Sequence, residues 1–178
     1  VERYDFATNA WEAVAPMAEA REAHAVAVLD GKLYAVGGYG GDVLGGVGRL
    51  SSVERYDPTA NAWEAVAPMA SMREGHGVAV LDGKLYAVGG FAAVAAVSDL
   101  SSVERYDPAL DAWEEVAPMA SARDELTVAV LDGKLYAVGG EGESNRAVRA
   151  VERYDPALNA WETLAPMGSG RIGSIALL

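Results

Sequence analysis

The sequence predicts an all-β protein built from a repeated four-stranded unit. Three observations predict it. The string VERYD starts at Val1, Val53, Val103 and Val151, and self-similarity at a period near 50 residues marks a stacked or radial repeat array. Short alternating apolar runs are separated by Gly, Pro and Asp turn signals. Between those breakers no stretch of helical length keeps a helical period.

Each element of the unit follows from its residues. The first strand is HAVAVL (24–29) and its equivalents, whose side chains alternate as in a half-buried strand. Asp30-Gly31, Asp82-Gly83 and Asp132-Gly133 come next. Asp-Gly is the pair a two-residue hairpin selects, because both residues must take φ > 0. KLYAV is the returning second strand. Gly-Gly ends it at 37–38, 89–90 and 139–140, where the backbone must turn or approach another segment closely. SVERYD is the third strand, closed by Asp-Pro in three copies. The fourth strand carries Trp11, Trp63, Trp113 or Trp161 and runs to Ala-Pro-Met, where a missing N–H costs little. An arginine stands four residues beyond each of these methionines: Arg21, Arg73, Arg123 and Arg171.

The VERYD starts lie 52, 50 and 48 residues apart. All of that variation falls in residues 39–52, 91–102 and 141–150. A variable connection in an otherwise fixed unit is a loop, expected on one face of the array and often on its binding face.

The Gly-Gly doublet, the Tyr and Trp that follow it and the Arg before the next strand together resemble the kelch repeat. Arg21 to His24 and Arg73 to His76 also resemble its Arg-x-x-His. The likeness is greatest to the kelch domains of BTB-kelch adaptor proteins. The resemblance implies a kelch-type β-propeller, with KLYAV second from the axis, the Trp strand outermost and partners bound by loops on one face. The sequence opens at a third strand and ends in a first strand. The expected fold is therefore an incomplete propeller of about three and a half four-stranded blades, one unit over residues 1–178 with no second domain. Kelch rings usually hold six or seven blades, so further blades outside this chain are one expected partner.

Most repeated residues read as scaffold. Four copies of Tyr, Trp and Gly-Gly at fixed places build the packing between blades. The Glu-Arg of VERYD reads as a cross-strand charge pair on a solvated strand. His24 and His76 hold equivalent positions, but Leu126 and Ser174 replace them in the other repeats and the chain has no cysteine. Zinc needs three or more ligands, so no metal or cofactor is expected. No nucleophile stands at motif spacing from a base, and no Gly-Lys-Ser/Thr phosphate loop occurs, so no enzyme is expected. VERYD and the Glu after each Trp supply two-thirds of the net charge of −12, which argues against a nucleic-acid partner. No apolar run approaches the roughly 20 residues of a membrane span.

Two departures from the scaffold are the expected binding residues. The loops VLGGVG (43–48) and FAAVAAV (91–97) carry adjacent apolar side chains, of which Val43, Leu44, Val47, Val94 and Val97 are expected to meet a partner and Phe91 to be packed. The residue after each first-strand arginine is acidic: Arg21 and Glu22, Arg73 and Glu74, Arg123 and Asp124. In peptide-binding kelch adaptors this region grips an acidic peptide. Here the acidic neighbours are expected to pair with the arginines, on the channel side, and to repel such a ligand. The expected function is a protein–protein interaction module or scaffold, with another protein as partner. The alternatives are the substrate-recognition part of a cullin-type ubiquitin ligase adaptor and a kelch-fold enzyme acting on sugars.

Overall fold

The computed structural model describes residues 1–41, 47–94, 97–142 and 145–173. The chain opens on β1 (Glu2–Asp5) and β2 (Ala10–Ala13), a two-stranded antiparallel pair. The first complete blade begins with β3 (Ala25–Leu29) and β4 (Lys32–Val36). A small hairpin follows, β5 (Tyr39–Gly41) and β6 (Val47–Arg49), and then β7 (Val53–Asp57) and β8 (Ala62–Val66) close the blade. The second blade repeats this as β9 (Gly77–Leu81), β10 (Lys84–Val88), hairpin β11 (Phe91–Val94) and β12 (Val97–Asp99), β13 (Val103–Asp107) and β14 (Ala112–Val116). The third comprises β15 (Thr127–Leu131), β16 (Lys134–Val138), hairpin β17 (Glu141–Gly142) and β18 (Arg146–Ala147), β19 (Val151–Asp155) and β20 (Ala160–Thr163).

The blade sheets have the strand orders β3-β4-β7-β8, β9-β10-β13-β14 and β15-β16-β19-β20, antiparallel throughout. No helix occurs among the described residues. The fold is a kelch-type propeller in incomplete form, as the repeats predict. The fourth strand stops before Ala-Pro-Met rather than including it. The fourth first strand expected from the sequence falls on residues 174–178, outside the described residues.

The turn chemistry is as the residues dictate. Asp30 and Gly31 have φ of 51° and 73°, and the other two Asp-Gly pairs match them, the signature of a type I′ hairpin. Gly37 and Gly38 also have positive φ, and a Cβ on Gly37 would stand 2.6 Å from the Arg73 carbonyl oxygen of the next blade. The doublet is needed both for its conformation and for that approach.

Two apolar clusters lie between successive blades. One joins Leu29, Tyr34, Val36 and Val53 to Leu85, Ala87 and Tyr106. The other joins Tyr86, Val88 and Val103 to Leu135, Ala137 and Tyr154. Tyr34 meets Tyr106 edge-on with ring centroids 5.9 Å apart, and Tyr86 meets Tyr154 in the same way, a geometry that aromatic quadrupoles favour. Ahead of the first strands, backbone hydrogen bonds step from blade to blade. Gly75 N–H donates to Ala23 O at 3.0 Å, Glu125 N–H to Gly75 O at 2.7 Å, and Gly173 N–H to Glu125 O at 3.0 Å.

Candidate functional site

The fixed part of each repeat is consumed by its own packing. Glu54, Glu104 and Glu152, the second residues of VERYD, are buried. Each receives an arginine: Arg21 Nη2 donates to Glu54 Oε1 at 2.7 Å, and Arg73 and Arg123 reach Glu104 and Glu152 at 2.8 Å. Arg21 also donates to the carbonyls of Gly37 and Ser52, and Arg73 to those of Gly89 and Ser102. The glutamates accept backbone N–H groups from the connection between blades, Ala18 and Glu19 at Glu54 and Ala70 and Ser71 at Glu104. Each Arg–Glu pair thus ties an interblade connection to the end of a second strand and to a third strand. Burial pulls the Arg123 guanidinium down from its ordinary range, and Glu152 works against that shift.

This corrects two expectations. The side chains of Arg21, Arg73 and Arg123 have no solvent exposure, so they do not face a ligand, and their carboxylate partner is the distant glutamate rather than the adjacent acid. The glutamate of VERYD is not on a solvated strand. Only the arginine of VERYD makes the expected cross-strand pair, as Arg55 does with Glu64 at 2.6 Å and Arg105 with Glu114 at 2.6 Å.

A second repeated contact rivets the rim. Trp63 Nε1 donates to Ala15 O, Trp113 to Ala67 O and Trp161 to Ala117 O, each at 2.9 Å. Beside them Asn61, Asp111 and Asn159 accept both the Ala15, Ala67 or Ala117 N–H and the hydroxyl of Tyr56, Tyr106 or Tyr154. The sequence reading did not single out these three acceptors, although each lies five residues after its Tyr.

The variable connections form the three small hairpins, and each hairpin is fastened at its base. Glu22 bridges to Tyr39, Glu74 to Phe91 and Asp124 to Glu141 through the backbone. The acidic residues after the arginines and the variable loops, separate in the sequence, therefore meet at equivalent places in successive blades. Arg49 of the first hairpin pairs with Glu74 at 2.7 Å and stands 4.3 Å over the Phe91 ring, so Phe91 is packed. Val43 and Leu44 lie outside the described residues, and Val47, Val94 and Val97 lie in the strands that lead to the hairpin tips. Burial, with Asp99, Glu141 and Glu125 nearby, pushes the Asp124 carboxyl up to about 6.

His24 and His76 line one polar cleft of ≈180 Å³ together with Glu125 and Thr127. His76 is buried with both ring nitrogens unpartnered. Burial, then Arg73 and then His24, push its imidazole down to about 3. Leu126 occupies the equivalent position in the next repeat and is also buried, so His76 is a buried neutral ring at a place that a leucine fills one blade later. No group of three metal-ligating side chains forms among the described residues.

Comparison with known proteins gives a consistent picture. A family model described as "KLHDC2/KLHL20/DRC7 Kelch-repeats domain" matches residues 1–140, and one described as "Kelch motif" matches residues 122–168. Kelch-like protein 35 of Mus musculus is 44% identical over 82 residues, which is 46% of this chain and 13% of that protein. Kelch-like protein 33 of Homo sapiens is 39% identical over 88 residues, 49% of this chain and 16% of that protein. These matches span less than a fifth of the curated relatives' length. The solved structure of YjhT superposes with a TM-score of 0.77 at 22% identity, over 90% of this chain and 56% of that one, which is a likeness of fold.

Proposed function

The chain belongs to the kelch-repeat family, and we propose that it serves as a protein-interaction module that recognises another protein through the face bearing the three small hairpins. One observation carries this reading. The repeated residues are spent on interblade pairs and rivets, while the parts that differ between repeats are gathered on hairpins fastened at Glu22, Glu74 and Asp124. The buried arginines hold that face in place, and the hairpins supply the contacts. Val43, Leu44, Val47, Val94 and Val97 are the proposed apolar contacts, with the acidic residues at the hairpin bases disfavouring an acidic ligand. This role needs no chemical step. Substrate recognition for a ubiquitin ligase is a special case of it, in which the same face would carry the selectivity.

Apolar contact with modest salt dependence is expected, since a chain of net charge −12 is not expected to draw its partner to a basic, salt-sensitive surface of its own. The test compares two variants against an isolated partner. Val94→Asp with Val97→Asp should weaken binding, and Thr163→Asp on the outer strand should not. The reverse result would move the contact to the rim and reject the assignment.

A further inference from the structure

The seam between the first and second blades carries its own counter-charge. Arg49 of the first hairpin pairs with Glu74 at 2.7 Å and lies over the Phe91 ring. The seam between the second and third blades holds different residues at the equivalent places: Asp99 for Arg49, Asp124 for Glu74, Glu141 for Phe91 and Glu125 for Gly75. Carboxylates thus stand at all four places, and the arginine of the first seam has no counterpart. Among the described residues no arginine or lysine pairs with Asp124, Glu125 or Glu141. The raised carboxyl of Asp124, with burial and three carboxylates as its causes, is the behaviour of an acid without a counter-charge.

Glu125 belongs both to this seam and to the ≈180 Å³ polar cleft at His24 and His76. Gly75 keeps the two continuous, since a Cβ there would stand 3.2 Å from Glu125 Oε1 and 3.6 Å from the Asp124 Cβ. The cleft wall holds polar atoms without partners. His76 is 6% exposed and neither ring nitrogen is hydrogen-bonded, and His24 Nδ1 is buried and unbonded as well. Burial first, then Arg73 for His76 and Arg21 for His24, hold both imidazoles down. At neutral pH each ring is therefore uncharged and offers one acceptor nitrogen. Arg21 and Arg73 are themselves engaged with Glu54 and Glu104. An anion is repelled at such a place, and a metal ion finds no set of three ligands among the described residues. A guanidinium, always charged and donating only, matches it.

We propose that the cleft at Glu125, with the acidic seam beside it, takes an arginine side chain of the bound partner, which supplies between the second and third blades the cation that Arg49 supplies between the first and second. The proposal rests on the reading that a partner sits on the hairpin face, and it names the chemistry of that partner. The acids that disfavour an acidic ligand then select a basic one. A single cation held in a cleft is screened less than an exposed one, so the salt dependence stays modest.

The probe is N-acetylarginine amide, titrated into the full chain to tens of millimolar. The chain has two histidines, so their ring signals in a nuclear magnetic resonance spectrum report the cleft directly. Saturable shifts at His24 and His76 are expected. N-acetylcitrulline amide, which keeps the shape and lacks the charge, should bind about tenfold or more weakly. Asp124→Asn with Glu125→Gln should weaken arginine binding about fivefold or more, whereas Glu114→Gln, which removes a carboxylate on the outer strand, should leave it unchanged. Absence of shifts at both imidazoles, equal binding of citrulline, or equal weakening by Glu114→Gln would overturn the proposal. The citrulline comparison uses the parent chain, so it decides even if a variant fails to fold. The titration needs no partner, whereas the Val94 and Val97 comparison does, so failure of this site and failure of the hairpin face are told apart.

Discussion

Arg73 donates through Nη2 to Glu104 Oε1 at 2.8 Å, and neither side chain is open to solvent. Arg73 lies in the connection ahead of β9 and Glu104 in β13, so the pair links that connection to the third strand of the second blade. The guanidinium satisfies the carbonyls of Gly89 and Ser102 with its remaining donors, and the carboxylate takes two backbone N–H groups of the preceding connection. That full set of partners is the condition under which a buried ion pair survives its desolvation.

Removing one member should therefore be severe. Arg73→Ala leaves Glu104 buried and uncompensated, and a loss of about 3–5 kcal/mol is expected. Arg105→Ala breaks a partly exposed cross-strand pair with Glu114, for which about 0–1 kcal/mol is expected. Urea unfolding of both variants measures the contrast. Equal losses would show that burial does not distinguish the two arginines.

His76 should give the protein an acid-side pH dependence. Its folded-state imidazole is held down at about 3, below the ordinary value of 6.5. The unfolded chain thus takes up a proton between those values that the folded chain refuses. Stability from this group is fully present above pH 6.5 and is lost as pH falls towards 3, by up to about 1.4 kcal/mol per pH unit. His76→Leu places in the slot the residue that Leu126 supplies one blade later. The variant should fold and show a flatter stability profile between pH 6.5 and 4 than the parent. Parallel profiles would reject the neutral, buried imidazole as the cause.

Asp124 has the opposite sign. Burial and the carboxylates of Asp99, Glu141 and Glu125 raise its folded-state value to about 6, above the ordinary 3.8. The folded chain then holds a proton that the unfolded chain releases, so this contribution is fully present below pH 3.8 and is lost as pH rises through 6. Asp124→Asn should raise the melting temperature at pH 7.5 and have little effect at pH 4. A destabilised variant at pH 7.5 would mean that its carboxylate makes a favourable contact there.

The four blade strands and their Asp-Gly turns were legible because each rests on local chemistry, whereas the variable connections, expected as loops, form small hairpins. Asp30-Gly31 selects its turn, and Gly37-Gly38 marks a close approach, within a few residues of sequence. The Arg–Glu pairs were not legible, because Arg21 and Glu54 are far apart in sequence. A glutamate between Val53 and Arg55 also reads as a solvated charge until neighbouring blades cover both faces of the sheet. The signal that could have found them was present: the arginine after Met and the glutamate of VERYD recur together, and the arginine has no constant local partner. The hairpin face was located through its length variation, while the fastening of Glu22 to Tyr39 depends on backbone pairing that side-chain patterns do not encode.

The tryptophans offer a comparison at four positions of one motif. Trp113 Nε1 donates to Ala67 O at 2.9 Å, and its ring leans on Tyr106 with centroids 5.2 Å apart. Trp11 makes the equivalent ring contact with Tyr4 but is 67% exposed. Phenylalanine keeps an aromatic ring and removes the N–H. Trp113→Phe should therefore cost about 0.5–1.5 kcal/mol from the lost hydrogen bond, with a further loss from reduced packing area. Trp11→Phe should stay within about 0.5 kcal/mol of the parent, as a surface change does. Chemical denaturation of the pair reads the difference directly. If both variants lose the same stability, the ring contact with tyrosine is the whole contribution, and the hydrogen bond across blades adds nothing to it.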